Sequence, residues 1–127
     1  MSNPTILIIE DNPLNVELAR DLLEAAGFQI RSTCTAEDGI HLARELLPDL
    51  VLMDISLPGM DGLCATKTLK SDPATRQLKV IGLTAHAMKG DEGTALDAGF
   101  DAYLTKPIDT RGFVTTIKNF IAEHANK

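Results

Sequence analysis

Five short runs of β-branched or aliphatic residues, Thr5–Ile9, Phe28–Thr33, Leu50–Met53, Val80–Leu83 and Ala102–Leu104, alternate along this chain with stretches whose apolar residues fall three and four apart. The runs read as strands and the intervening stretches as amphipathic helices. The helical signals are Leu14, Leu18, Leu22 and Leu23, then Ile40, Ala43 and Leu47, then Leu63, Thr66 and Leu69. A last helix is expected from about Thr110 to Glu123, with Phe113, Ile117, Phe120 and Ile121 on its apolar face. Boundary residues agree: Asn12 before Pro13 suits a helix cap and first turn, and Gly27 and Gly99 stand where helices should end.

The runs Thr5–Ile9 and Leu50–Met53 are apolar throughout rather than alternating, as parallel strands covered on both faces should be. The expected fold is therefore α/β: a doubly wound, five-stranded parallel sheet of order 2-1-3-4-5 flanked by five helices, a flavodoxin-like three-layer sandwich. A length of 127 residues suits one domain, 1–127, without room for an appended output domain.

Composition narrows the function. The 18 acidic against 12 basic residues give a formal charge of -6, which opposes the phosphate backbone that a direct nucleic-acid binder must neutralise. The apolar run Thr5–Ile9 stops at Glu10 and Asp11, too short for a signal peptide or a membrane span, so a cytoplasmic protein is expected. Cys34 and Cys64 belong to no metal or redox motif and read as ordinary buried or half-buried thiols.

In a fold of this order, ligands bind beyond the carboxyl ends of the first and third strands. There the first strand ends in Glu10 and Asp11, the third in Asp54, the fourth in Thr84, and the fifth runs into Lys106 and Pro107. Each has an ordinary explanation when taken singly: solvated loop acids, a turn residue before Pro58–Gly59, a helix cap, a surface lysine. Packing gives no reason for all of them to converge on one edge. Two unit charges about 4 Å apart repel by on the order of 4 kcal/mol at an effective dielectric near 20, so gathered acids need a cation. A hard divalent ion with oxygen ligands, Mg²⁺ with Mn²⁺ as a substitute, suits them better than Lys106 alone.

Glu10–Asp11, Asp54 followed by Leu57–Pro58 and Asp61–Gly62, Thr84–Ala85 and Lys106–Pro107 together closely resemble the receiver domain of two-component response regulators. The segments Leu83–Asp91 and Lys106–Ile108 are most similar to stand-alone DivK-type receivers and to the receivers of hybrid histidine kinases. The resemblance implies that Asp54 is the phosphoacceptor, with Asp11 and Asp54 as direct metal ligands, Ser56 a ligand through its backbone carbonyl and Glu10 a ligand through water. It further implies that Thr84 and Lys106 hold phosphoryl oxygens, helped by the backbone N–H groups of Ile55 and Ala85, and that the Lys106–Pro107 peptide is cis. Thr84 and Tyr103 would form the switch, altering the surface of the fourth helix, fifth strand and last helix. Ser56 and His86 would flank the hydrolytic water.

The implied partners are a sensor histidine kinase or histidine phosphotransfer protein and a downstream protein target, with no direct nucleic acid, no membrane insertion, and a monomer or weak dimer. The chain would not be an enzyme, although it assists its own phosphorylation and dephosphorylation. A phosphatase with a strand-end Asp nucleophile needs a second Asp two residues on, where this chain has Ser56. A flavodoxin-like cofactor binder needs a Ser/Thr/Gly-rich loop after the first strand, where Glu10 and Asp11 repel phosphate. The alternative is a pseudo-receiver that binds partners without phosphorylation.

Overall fold

A strand that is apolar at every position can only rest where both of its faces are covered, and the central strands do so here. In a computed structural model, which describes residues 4–54, 62–84, 101–105 and 112–125, β1 (Thr5–Ile9), β2 (Gln29–Thr33), β3 (Leu50–Asp54), β4 (Lys79–Thr84) and β5 (Ala102–Thr105) form one parallel sheet. Its order is β2-β1-β3-β4-β5, as the sequence predicts. Every residue of β3 is buried, whereas the edge strand β2 exposes Gln29 and Arg31.

Successive side chains of these strands point to opposite faces and sort into two cores. On one face Leu7, Ile9, Val51, Met53 and Val80 pack with Ala36, Ile40 and Ala43 of α2 (Ala36–Leu46) and with Ala65 and Leu69 of α3 (Gly62–Ser71). On the other, Ile6, Ile8, Leu50, Leu52, Ile81 and Leu83 pack with Ala19 and Leu23 of α1 (Pro13–Ala25) and with Phe113 and Ile117 of the C-terminal helix α4 (Phe113–Ala125). This is the expected three-layer sandwich. The helix expected between the fourth and fifth strands, with Gly99 at its end, lies outside the described residues, as does Thr110.

Local chemistry sets the helix ends. Asn12 caps α1 by accepting the N–H of Leu14 at 3.0 Å, and Pro13 opens the first turn. Thr35 caps α2 by accepting the N–H of Asp38 at 3.2 Å. Gly27 supplies the φ of 99° that the exit from α1 requires. Gly39 serves packing instead: a Cβ there would lie 2.7 Å from Ile9 Cγ1 and overlap Cδ1, so only glycine lets α2 approach β1 this closely.

Three expectations need correction. Leu14, assigned to the inward face of α1, is 75% exposed. That helix is phased by Ala19 and Leu23, and Leu14 lies five residues before Ala19, about 140° around a helix turning roughly 100° per residue. Leu47, assigned to α2, is its C-cap in the left-handed region (φ 48°) and is 56% exposed, because the turn swings it out of the helical row. Cys34 and Cys64 are both exposed: Cys34 follows the edge strand, and Cys64 shares the outer side of α3 with Lys67, opposite Ala65, Thr66 and Leu69. His41 stands 3.1 Å from Glu45 in a solvated pair one turn apart. The side chain of His124 lies outside the described residues. Among those residues no helix is long and apolar enough to cross a membrane.

Candidate functional site

The register levels the ends of the central strands. Ile9 pairs with Met53, so the next residue of each chain segment, Glu10 and Asp54, emerges side by side at the carboxyl edge. Asp54 in turn pairs with Leu83, which puts Thr84 one step further along β4, and Thr84 pairs with Thr105 at the end of β5. The edge is open here because the chain leaves β1 for α1 on one face of the sheet and leaves β3 for α3 on the other. A crevice at such a divergence is where ligands of doubly wound sheets bind.

Glu10, Asp11 and Asp54 meet in that crevice, with one carboxylate oxygen from each within 4.8 Å of the others. Glu10 is 1% exposed and Asp54 is 2% exposed, while Asp11 faces solvent. Two buried carboxylates at this spacing are a costly arrangement unless cations or hydrogen-bond donors compensate them. Part of the compensation comes from the start of α1. The backbone N–H of Asn12 donates to Glu10 Oε2 at 3.3 Å and the Asn15 amide donates to Oε1 at 3.2 Å. The positive end of the α1 dipole favours the same anion.

The donor set fits a hard divalent cation. All three ligand atoms are carboxylate oxygens, without imidazole or thiolate, which suits magnesium with its retained waters better than zinc or copper. Beside the cluster, between α1 and the edge strand, runs a groove of 650 Å³ lined by Asp11, Pro13, Val16 and Arg20 among others. Arg20 is tied across it to Ser32 Oγ at 2.6 Å.

Of the residues expected at the site, the structure brings together Glu10, Asp11 and Asp54 and places the backbone of Thr84 at the same edge. The backbone of Tyr103 lies in β5 opposite Gly82. The side chains of Thr84 and Tyr103, and the whole of Ile55, Ser56, Ala85, His86, Lys106 and Pro107, lie outside the described residues. Asn15 is the contact that sequence reasoning missed. The signal for it is its place as third residue of a helix whose cap is Asn12, from which a side chain can turn back over the preceding strand end.

A parallel sheet of this order with an acidic cluster at the β1/β3 crevice defines the class of doubly wound signalling and cofactor domains. Comparison with known proteins narrows it: residues 6–118 match the response regulator receiver domain, and the chain belongs to that family. It is 46% identical over 119 residues to the polar-differentiation response regulator DivK of Brucella ovis, covering 94% of this chain and 97% of that one. Among solved structures, a CheY-like receiver domain protein from Methanospirillum hungatei superposes with a TM-score of 0.90 at 28% identity, covering 98% of each chain. The receiver domain of the sensor histidine kinase PA1611 from Pseudomonas aeruginosa, solved with a magnesium ion coordinated in its active-site cleft, gives 0.87 at 30% identity, covering 95% of this chain and 99% of that one.

Proposed function

We propose that the chain is a phosphoacceptor switch in a two-component phosphorelay, with Asp54 as the residue that carries the phosphoryl group. The observation that supports this most directly is the gathering of three carboxylates, two of them buried, within 4.8 Å at the β1/β3 edge. A stable fold has no use for that repulsion, whereas a site for a cation and a phosphoryl group does.

A carboxylate oxygen of Asp54 attacks the phosphorus of a phosphohistidine on a kinase or phosphotransfer protein. The new P–O bond forms as the P–N bond breaks, and the electron pair leaves with the imidazole. Asp11 and Asp54 directly, the Ser56 carbonyl and, through water, Glu10 would hold the magnesium ion, for which manganese can substitute. Bound there, the ion supplies the positive charge that lets one anion approach another. Lys106, the Thr84 hydroxyl and the N–H groups of Ile55 and Ala85 hold the phosphoryl oxygens.

The phosphoryl group adds roughly 1.5 to 2 negative charges at one point, enough to bias a neighbouring two-state element. Thr84 moves toward it and Tyr103 takes the vacated space, which changes the surface of the helix expected between β4 and β5, of β5 and of α4 for a downstream protein. The chain acts in the cytoplasm and is not an enzyme; it helps only its own phosphorylation and dephosphorylation. Intact-mass measurement after incubation with acetyl phosphate and Mg²⁺ tests the reading. The wild type should gain one phosphoryl group, and neither Asp54→Asn nor a chelator-treated sample should. No gain by the wild type would leave only the binding-module reading.

A further inference from the structure

Helix α1 begins at Pro13, which makes Asn12 its cap and Asn15 its third residue. A Glu or Gln at that third position commonly reaches back to accept the N–H of the cap residue. Here that N–H goes instead to Glu10 Oε2, at 3.3 Å, and the Asn15 amide turns to Oε1 of the same carboxylate, at 3.2 Å. Two donors of the helix start therefore converge on one acid that is 1% exposed. One donor on each oxygen fixes the rotation of the carboxylate plane, which a single donor cannot do.

We infer that Asn15 is a positioning residue for the cation site: it locks Glu10 in the orientation from which that carboxylate addresses the ion's water shell. The inference rests on the reading of Glu10, Asp11 and Asp54 as a magnesium site. The arrangement requires an amide at position 15. A carboxylate there would set acceptor against acceptor, and an alkyl group would take away the donor that Oε1 has from α1. Loss of an outer partner that orients a ligand typically weakens metal affinity by about 10- to 100-fold.

Calorimetric titration of Mg²⁺ into the full, chelator-stripped chain tests this, with the metal-free melting temperature measured beside it. Asn15 is half-buried and alanine favours helices, so Asn15→Ala keeps the fold, and the melt checks that it does. Asn15→Ala should bind Mg²⁺ about tenfold more weakly than the wild type. In a Glu10→Gln background the same change should have little further effect, because Asn15 acts through Glu10. Equal Mg²⁺ affinity of Asn15→Ala and the wild type overturns the inference and leaves the magnesium site standing. An undiminished loss in the Glu10→Gln background overturns it as well. Failure of the wild type itself to bind Mg²⁺ removes the site and the inference together.

Discussion

Replacing Asp54 with asparagine should make the metal-free protein more stable, although it removes the residue on which the proposed function depends. Two unit charges 4.8 Å apart at an effective dielectric near 20 repel by about 3.5 kcal/mol, and the oxygens of Glu10 and Asp54 lie within that distance. Asp11 adds less, because it is exposed and water screens it. Asparagine keeps the shape and the acceptor oxygen but accepts weaker hydrogen bonds than a carboxylate, which offsets part of the gain. The expected net is about 2 kcal/mol, or roughly 5 to 10 °C in melting temperature for a domain of this size. Thermal unfolding followed by circular dichroism in chelator, then across a Mg²⁺ series, measures it. For the wild type, Mg²⁺ at 100 times its dissociation constant should add about 2.7 kcal/mol, and for Asp54→Asn much less. If Asp54→Asn melts at or below the wild type without metal, the carboxylates are not repelling one another and the electrostatic argument for the site is wrong.

Thr66→Val should stabilise the fold by about 1 kcal/mol in denaturant titration, because the Thr66 hydroxyl is fully buried without a hydrogen-bond partner among the described residues; a loss of stability would mean that the hydroxyl has a partner after all. Gly39→Ala should destabilise by about 1 to 2 kcal/mol, since crowding the buried Ile9 side chain outweighs the roughly 1 kcal/mol that alanine gains in a helix. An increase in its denaturation midpoint would show that Ile9 can move aside. The Asp72 carboxylate titrates below its ordinary 3.8, chiefly because it accepts the N–H of Ala74 and also because Arg44 stands 2.8 Å away, with desolvation opposing both. A depressed carboxylate contributes its stability above the unfolded pKa and loses it as pH falls through the folded one. The stability gap between the wild type and Asp72→Ala should therefore be full at neutral pH and narrow as pH drops below 3.8, and a gap that widens in acid would refute the assignment.

The strands were legible because residues such as Leu50–Met53 are apolar on both faces, a pattern that only a doubly covered strand satisfies. The acids were legible because Glu10 and Asp54 each end such a run, where the chain must leave the sheet. Leu14 was not legible, because periodicity reports that a helix has an apolar face but not which of several leucines sets its phase. The small Ala19 decides it here by letting the helix sit close to the sheet. The cysteines misled because a general tendency toward burial says nothing of an edge-strand exit or of the outer side of α3. Asn15 and the bridge from Lys70 to Asp101, whose Oδ2 takes both the lysine at 2.9 Å and the Val80 N–H at 2.8 Å, depend on where the backbone turns and on pairs distant in sequence. Only the first leaves a local trace, the place of Asn15 three residues after its cap.

The same divergence that opens the crevice also insulates the two cores from it. The side chains of Ile6 to Ile9 in β1 and of Leu50 to Met53 in β3 belong to the apolar clusters, and the first residue beyond each is a buried acid. Charge therefore enters at one end of two strands that are otherwise anchored along their length, so its repulsion can be borne without disturbing the sheet register. Gly39 marks the point of contact between the two demands, because the Ile9 side chain packed against it is the last before Glu10. A Cβ at that point presses on the Ile9 side chain, one residue before the one that carries the carboxylate. Gly39→Ala should consequently weaken Mg²⁺ binding as well as stability, whereas Thr66→Val, in α3, should raise stability and leave Mg²⁺ affinity as it was. Calorimetric titration of both variants separates these effects, and equal affinities in the two would show that the core and the carboxylates are decoupled even at Ile9.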